Sequence, residues 1–262
     1  MTAPSVPDIL TRIVEHKRIE IDRIQPRHDE FAQSALAKRS EHRDFMAALR
    51  QSTPAIIAEV KKASPSKGLL DPQFDPARRA RQYHSGGAAA LSVLTDERFF
   101  QGSLDDLRAA RASVAVPVLR KDFTLSEVQV AEAAAAGADA VLLIAAILSR
   151  TELERLRTAA SGYGLAALVE VHDDSELDRA LESGAEIVGV NNRDLRTFDV
   201  RLETSERLAA RMPSTVIRVS ESGIHSRADV ERLMQSGYTA FLVGEHLMKS
   251  GDPAAAIREL RG

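Results

Sequence analysis

The 262-residue chain contains no Cys and no Trp. The first absence excludes disulfides, thiolate nucleophiles, Cys-ligated zinc and iron–sulfur clusters, and it suits a reducing compartment such as the cytoplasm. Aromatic residues are scarce, three Tyr and eight Phe, and no basic stripe accompanies them, so stacked-base recognition of nucleic acid has no platform. Lys and Arg total 35 against 38 Asp and Glu, a formal net charge of -3, which lacks the cationic excess of a dedicated nucleic-acid binder. Long apolar runs are missing as well. The longest, Ala138 to Leu148, carries Asp139 and falls far short of the roughly 20 residues that a bilayer requires. The opening MTAPSVPDILTRIVEHKRIEID has no unbroken apolar core, so neither a targeting nor a membrane segment is expected. The seven His are scattered, with no HxH or HExxH pattern and no acidic cluster at ligand spacing, so no metal requirement is expected either.

What is present is 44% hydrophobic residues against 28% charged, enough for a sizeable core with a solvated surface. Eight short apolar runs recur: AIIAEV from Ala55, AALSVL from Ala89, PVLR from Pro117, AVLLI from Ala140, AALVEV from Ala166, IVGV from Ile187, VIRVS from Val216 and AFLV from Ala240. Their starts lie 34, 28, 23, 26, 21, 29 and 24 residues apart, room each time for one crossover helix, as parallel strands require. The intervening SEVQVAEAAAAG and SRADVERLMQSG read as helices capped by Ser126 and Ser226 and stopped by Gly137 and Gly237. Gly87, Gly137, Gly184 and Gly237 each precede an even-numbered strand, which is either a two-unit repeat of a barrel built in quarters or one common turn used four times. Ahead of the first strand, Ser5-x-x-Asp8 resembles a capping box for Ile9, Leu10, Ile13, Val14, Ile21 and Ile24 at helical spacing. Pro26 with RHDE reads as a break, and FMAALRQ from Phe45 as a second short helix. Residues 1–50 are thus expected to be a helical extension of one barrel domain spanning 1–262.

The polar residues choose between a barrel and an open sheet. Glu59 and Lys61, Lys121, Glu170, Asn191, Ser220 and Glu221 stand at the carboxyl ends of five different strands. In an open sheet of eight, the first and last strands would lie about 34 Å apart at ~4.8 Å spacing, whereas closure brings all these ends to one mouth. The expected fold is therefore α/β, a (β/α)8 barrel. No GxGxxG follows a strand, so a dinucleotide fold has nothing specific in its favour.

Each polar residue has a chemical and a structural reading. Glu59 and Lys61, two apart in a strand, share a face, as an acid and amine at a site or as a surface ion pair. Ser64 opens SPSKG, a stretch with the composition of a loop able to close over substrate, or of an ordinary basic loop. Lys121 is a general acid whose pKa burial would lower, or a loop lysine paired with Asp122. Glu170 needs a partner, Lys121 or Lys61, or is a structural ion-pair residue. Asn191 supplies a donor and an acceptor. Arg193 suits a substrate carboxylate or pairs with Asp194. Glu221, Ser222 and Gly223 on the seventh loop, with Gly244 and Glu245 on the eighth, occupy the phosphate corner of many barrel enzymes. There the Glu245 carboxylate is expected to turn outward. His172, Asp173 and Asp174 read as a helix start, and Phe99 and Phe100 as a wall for a flat ring or as core.

In this order, IIAEVKKASPSKG, LSVLTDERFFQGS, VLRKDF, ADAVLLIAAIL, VEVHD, VGVNNRDL, VSESGI and VGEHLM resemble the indole-3-glycerol phosphate synthase family over nearly the whole chain. The resemblance implies a cofactor-free barrel lyase of tryptophan biosynthesis. Its substrate would be 1-(2-carboxyphenylamino)-1-deoxyribulose 5-phosphate, closed to an indole with loss of carbon dioxide and water. It further implies Lys121 as general acid for ring closure, Glu170 as base or shuttle in dehydration, and Lys61 with Glu59 at the later proton transfer. Asn191, Arg193 and Glu221 would orient substrate and catalytic groups. Ser222, Gly223, Gly244 and Glu245 would hold the phosphate. Ser92, Phe100 and Leu142 would border the anthranilate ring, and Ser64 would touch substrate. Family members often carry Ser or Thr where Glu245 stands, so only its backbone is expected to meet phosphate. The partner implied is a phosphorylated small molecule, with no nucleic acid, membrane or obligate protein partner. Another phosphate-binding barrel such as phosphoribosylanthranilate isomerase, or a non-catalytic sugar-phosphate-binding barrel, would share the glycine loops. The isomerase would leave Glu59, Lys61, Lys121 and the extension unexplained together, and the intact acid, base and phosphate sets argue against the silent barrel.

Overall fold

The computed structural model describes residues 7–65, 68–194 and 197–262. Eight parallel strands close into a barrel: β1 Ala55–Val60, β2 Ala90–Leu94, β3 Val118–Lys121, β4 Ala140–Ile144, β5 Ala166–Val171, β6 Ile187–Asn191, β7 Ile217–Glu221 and β8 Ala240–Val243. Closure is direct, with Ala55 to Ala58 of β1 in register with Ala240 to Val243 of β8. Period-two alternation divides the core. Ile57, Leu119, Leu142, Leu168, Val219 and Leu242 point inward as one cluster, while Ile56, Leu91, Val141, Val169, Val188 and Phe241 face the surrounding helices in another. At roughly 1.5–3 kcal/mol per fully buried side chain, these two layers are the main stabilising term.

The extension has three helices rather than the two expected. Alpha helix α1, Pro7–Ile24, ends in a short turn over Gln25–Arg27, and α2, His28–Ala37, follows at once. The break expected at Pro26 is present, as a single tight turn, but RHDE runs on from it into α2. Pro is tolerated where a helical turn begins, and Asp29 and Glu30 in the first turn of α2 suit its positive end. The cap expected at Ser5 lies outside the described residues. Helix α3, Phe45–Gln51, is where FMAALRQ placed it, with Asp44 as its cap. Phe45 and Leu49 enter the inward cluster at the amino end of the strands. The opposite, carboxyl end is thereby left as the open one.

Gly87, Gly137, Gly184 and Gly237 all take φ between 80° and 92°, and an arginine side chain fills the space where each Cβ would stand: Arg261, Arg111, Arg157 and Arg218. One left-handed turn serves all four, and Gly164, φ 83°, repeats it ahead of β5, so the turn is a common helix stop and not a mark of every second strand. Beyond β1, Ala63–Ser64 and Gly68–Leu69 pair antiparallel as a small hairpin that the sequence did not foretell, while Ser66 and Lys67 lie outside the described residues.

Candidate active site

The inward parity of each strand runs on to its carboxyl end, and there the side chains turn from apolar to ionisable. Ile57 is followed by Glu59, Leu119 by Lys121, Leu168 by Glu170 and Val219 by Glu221, all two residues on. A cavity of about 490 Å³, the size of a small-molecule site, opens at this level. Glu59, Lys61, Ser64, Phe100, Lys121, Leu142, Glu170, Asn191, Arg193, Glu221, Ser222, Gly223, Gly244 and Glu245 line it. Ser92 does not. It is fully buried beside Glu59 in the β1–β2 register, one layer below the cavity floor, because β2 presents Leu94 at the mouth instead.

Lys121 is the centre of the charge arrangement. Its ammonium lies 2.7 Å from Glu170 Oε2 and 3.6 Å from Glu221 Oε2. Asp122, the partner a solvated loop lysine would take, points elsewhere, to Lys17, Arg120 and Thr95. Burial by itself would lower the lysine's pKa, as expected from the sequence. The carboxylates of Glu170, Glu221 and Glu59 outweigh it and raise the pKa above the ordinary lysine value. The expectation of a lowered value is therefore corrected, and Lys121 is held as a cation. Burial pushes Glu170 up, but Lys121 and then His172 pull it below the usual carboxylate range, so it is ionised. Glu221 goes the other way. Its burial outweighs the pull of Lys121, the negative charges of Glu170 and Glu59 add to the rise, and it holds its proton towards neutrality.

A second acid–base pair, Lys61 with Glu59, faces these groups across the mouth. Glu59 is 6% exposed, which removes the surface ion-pair reading. Gly244 is what makes room for it, since a Cβ there would overlap the Glu59 carboxylate. Asn191 ties the far wall together: its Nδ2 donates to Glu170 Oε1 at 3.4 Å, and its Oδ1 accepts from Ser222 Oγ at 2.9 Å and from the Arg193 N–H at 3.0 Å. Ser222 and Gly223 adopt left-handed backbone, φ 65° and 81°, turning the seventh loop over the cavity. The Glu245 carboxylate turns to Lys249 at 2.7 Å, and Arg193 Nη2 approaches it at 3.7 Å.

The apolar wall came only partly from sequence reasoning. Phe100 lines the cavity and packs on Phe123 with ring centroids 6.2 Å apart, whereas Phe99 packs on His16. Ile9, Leu10 and Ile13 of α1 also line it. Their helical spacing was visible, but not the face they meet. Lys17 anchors that helix: it is 1% exposed and reaches Asp96 at 2.9 Å, Asp122 at 2.8 Å and Glu20 at 2.7 Å. Asp96 in turn caps the helix Glu97–Phe100, and Asp122 follows Lys121 directly. His225 and His246, ring centroids 6.2 Å apart, stand on the seventh and eighth loops and were also missed. Among the described residues, no group of three or more His, Asp or Glu is arranged to hold a metal ion, and no helix is long and apolar enough to cross a membrane.

Solved structures with the same architecture include thiamine phosphate pyrophosphorylase from Pyrococcus furiosus, with a TM-score of 0.60 at 19% identity, covering 79% of this chain and 94% of that one. The N-acetylmannosamine-6-phosphate 2-epimerase from Clostridium perfringens gives 0.62 at 15%, covering 78% and 92%. At such identities the likeness concerns the fold. Sequence relatives go further. The indole-3-glycerol phosphate synthase of Koribacter versatilis is 52% identical over 228 residues, 85% of this chain and 88% of that protein. Those of Albidiferax ferrireducens and a Roseiflexus species are each 50% identical, over 97% of this chain and 98% of theirs. The family pattern for indole-3-glycerol phosphate synthase matches residues 10–260, from the first helix to the last. The chain belongs to the indole-3-glycerol phosphate synthase family.

Proposed function

We propose that the cavity closes 1-(2-carboxyphenylamino)-1-deoxyribulose 5-phosphate to indole-3-glycerol phosphate, with Lys121 as the acid of ring closure and Glu170 as the base of dehydration. The observation that carries this reading is the 2.7 Å pair of a cationic Lys121 and an ionised Glu170 at the floor of a largely buried mouth. As the ring carbon bearing the carboxylate attacks the ketone, negative charge develops on the ketone oxygen. A fixed ammonium in a site of low dielectric stabilises that charge, and the alkoxide is basic enough to take the proton even from a lysine of raised pKa. Carbon dioxide then leaves its electron pair to the ring. Loss of water requires a base at the carbon beside nitrogen and an acid at the departing hydroxyl. Glu170 serves as the first and Lys61, steadied by Glu59, as the second.

Ser222 and the backbone of Gly223 and Gly244 hold the phosphate, while Arg193 orients the substrate through its carboxylate. Glu245 contributes its N–H, its carboxylate being engaged with Lys249. Phe100 and Leu142 flank the ring, with Ile9 and Leu10 as the cover, so the extension and barrel act as one catalytic unit over 1–262. Ser64 borders the substrate from the first loop. Neutral Glu221 offers its proton as a donor to the substrate and limits the negative charge beside Lys121. The substrate is a diffusible phosphorylated metabolite, which suits a cytoplasmic enzyme without an obligate protein partner. Mixing purified protein with this substrate and following indole fluorescence tests the reading, and a chain without Trp adds little background. Product is expected without added metal; a folded protein that leaves substrate unchanged would overturn it.

A further inference from the structure

Among the described residues, three other than glycine have left-handed backbone: Gln101, Phe198 and Ser222. Gln101 closes the helix Glu97–Phe100, its N–H donating to Glu97 O at 3.1 Å, and Ser222 turns the seventh loop over the cavity. Phe198, at φ 62°, has no such explanation. Gly, Asn and Asp tolerate this region, whereas an aromatic residue in it is a genuine outlier. Burial of the ring does not compensate, because Phe198 is 45% exposed.

The strained backbone is held from both sides. The Phe198 N–H donates to Asp194 O at 2.9 Å, and the Asp194 N–H donates to Asp199 O at 2.8 Å. Arg193 and Val200 pair across the same turn as an antiparallel bridge, and Arg193 Nη1 donates to Phe198 O at 3.3 Å. Strain that the surroundings over-determine belongs to function more often than to folding. The place of the ring says which function. Phe198 and Val200 line the active-site cavity together with Ser222 and Gly223. Val200 Cγ1 lies 2.6 Å from where a Cβ on Gly223 would stand, so the sixth loop packs directly on the backbone of the seventh. Strands β6 and β2 stand on opposite sides of the barrel, which sets Phe198 across the mouth from Phe100, at the phosphate end.

We infer that Phe198 is a substrate-binding residue, a half-exposed ring that the bound substrate covers and that in turn keeps water and salt ions from the phosphate. The inference rests on the placement of the phosphate at Ser222 and Gly223 given above. An apolar side chain beside hydrogen bonds to a dianion lowers the local dielectric and strengthens them. The left-handed turn lets one residue present its carbonyl to Arg193 and its ring to the cavity. The phosphate takes no part in the bond changes, so the ring adds to binding and not to the chemical step.

The test is steady-state conversion by the parent, Phe198→Gly, Phe198→Ala and Phe198→Leu at about 50 and about 300 mM KCl, with a thermal melt of each protein. Gly keeps the left-handed backbone and the carbonyl for Arg193 while removing the ring, so KM should rise about tenfold with kcat within about twofold of the parent. The rise should be larger at the higher salt, where screening ions reach the uncovered phosphate. Phe198→Ala should bind as poorly as Phe198→Gly but melt lower, because Ala keeps the strain that Gly relieves. Phe198→Leu, apolar and bulky, should recover most of the lost affinity. A KM for Phe198→Gly within about twofold of the parent at both salt concentrations overturns the inference. An equal fall in kcat and kcat/KM overturns it too, since the ring would then act in the chemical step. If inorganic phosphate does not compete with substrate in the parent, the placement of the phosphate fails first, and the inference falls with it.

Discussion

Lys17→Met keeps the aliphatic stem of the anchoring residue and removes its charge, leaving two carboxylates without their shared cation. Asp96 is 0% exposed and Asp122 3%, so solvent does not replace the lost partner. Stripping one member from a buried ionic group costs about 3–5 kcal/mol. Here the lower end applies, because Asp122 keeps Arg120 and Thr95 while Asp96 keeps the N–H groups of Phe99 and Phe100. At roughly 2–4 °C per kcal/mol for a chain of this size, a loss of about 3 kcal/mol lowers Tm by about 6–12 °C. Since α1 carries Ile9, Leu10 and Ile13 over the cavity, KM should rise by a larger factor than kcat falls. Asp96→Asn added to Lys17→Met should recover part of the stability, because it removes one of the stranded charges. Thermal melts and steady-state kinetics on the three proteins decide the matter. A Tm within about 2 °C of the parent for Lys17→Met would refute the claim that this buried cation secures the extension.

The remaining predictions concern the mouth and its charges. Glu221→Gln imitates the neutral acid and should cost less than about tenfold in kcat, whereas Glu170→Gln should cost about 100-fold or more; equal losses would contradict the opposite protonation states assigned to them. Gly244→Ala forces the Glu59 carboxylate off Lys61, so kcat should fall by about 100-fold while the thermal midpoint changes little. Asp122, held at about 2 against an ordinary 3.8 by Arg120 and Lys17 in spite of its burial, contributes stability present above the ordinary value and lost as pH falls through about 2. Urea midpoints measured between about pH 5 and 2 should therefore decline less steeply for Asp122→Asn than for the parent.

The strand positions were readable because two signals agreed. Apolar runs with helix-sized gaps placed all eight, and polar residues at five carboxyl ends required closure. Lys121 was readable as one of two candidate partners of Glu170, the other being Lys61, but the direction of the lysine's pKa was not. Burial of a strand-end lysine is a local inference, while the three carboxylates that reverse its effect come from β1, β5 and β7. Lys17 escaped notice for the same reason: on its own helix it is one cation among many, and its partners lie about 80 and 105 residues away. His172 had a signal that went unused. It stands two residues after Glu170, on the inward parity that singled out Glu59 and Lys61, but the following Asp173 and Asp174 drew it into a helix start. Asp173 is indeed the cap, accepting from the Glu176 N–H, and His172 belongs to the site rather than to the helix. The small displacement of Ser92 below the floor depends on barrel tilt and shear, which no single strand records.

The most direct test of the central claim is single-turnover ring closure by Lys121→Ala, followed by quenching and separation of substrate, intermediates and product. If Lys121 is the acid of the first step, the substrate persists unclosed and no carbon dioxide is released. Closure at the parent rate, with intermediates accumulating only afterwards, would show that another group protonates the ketone oxygen.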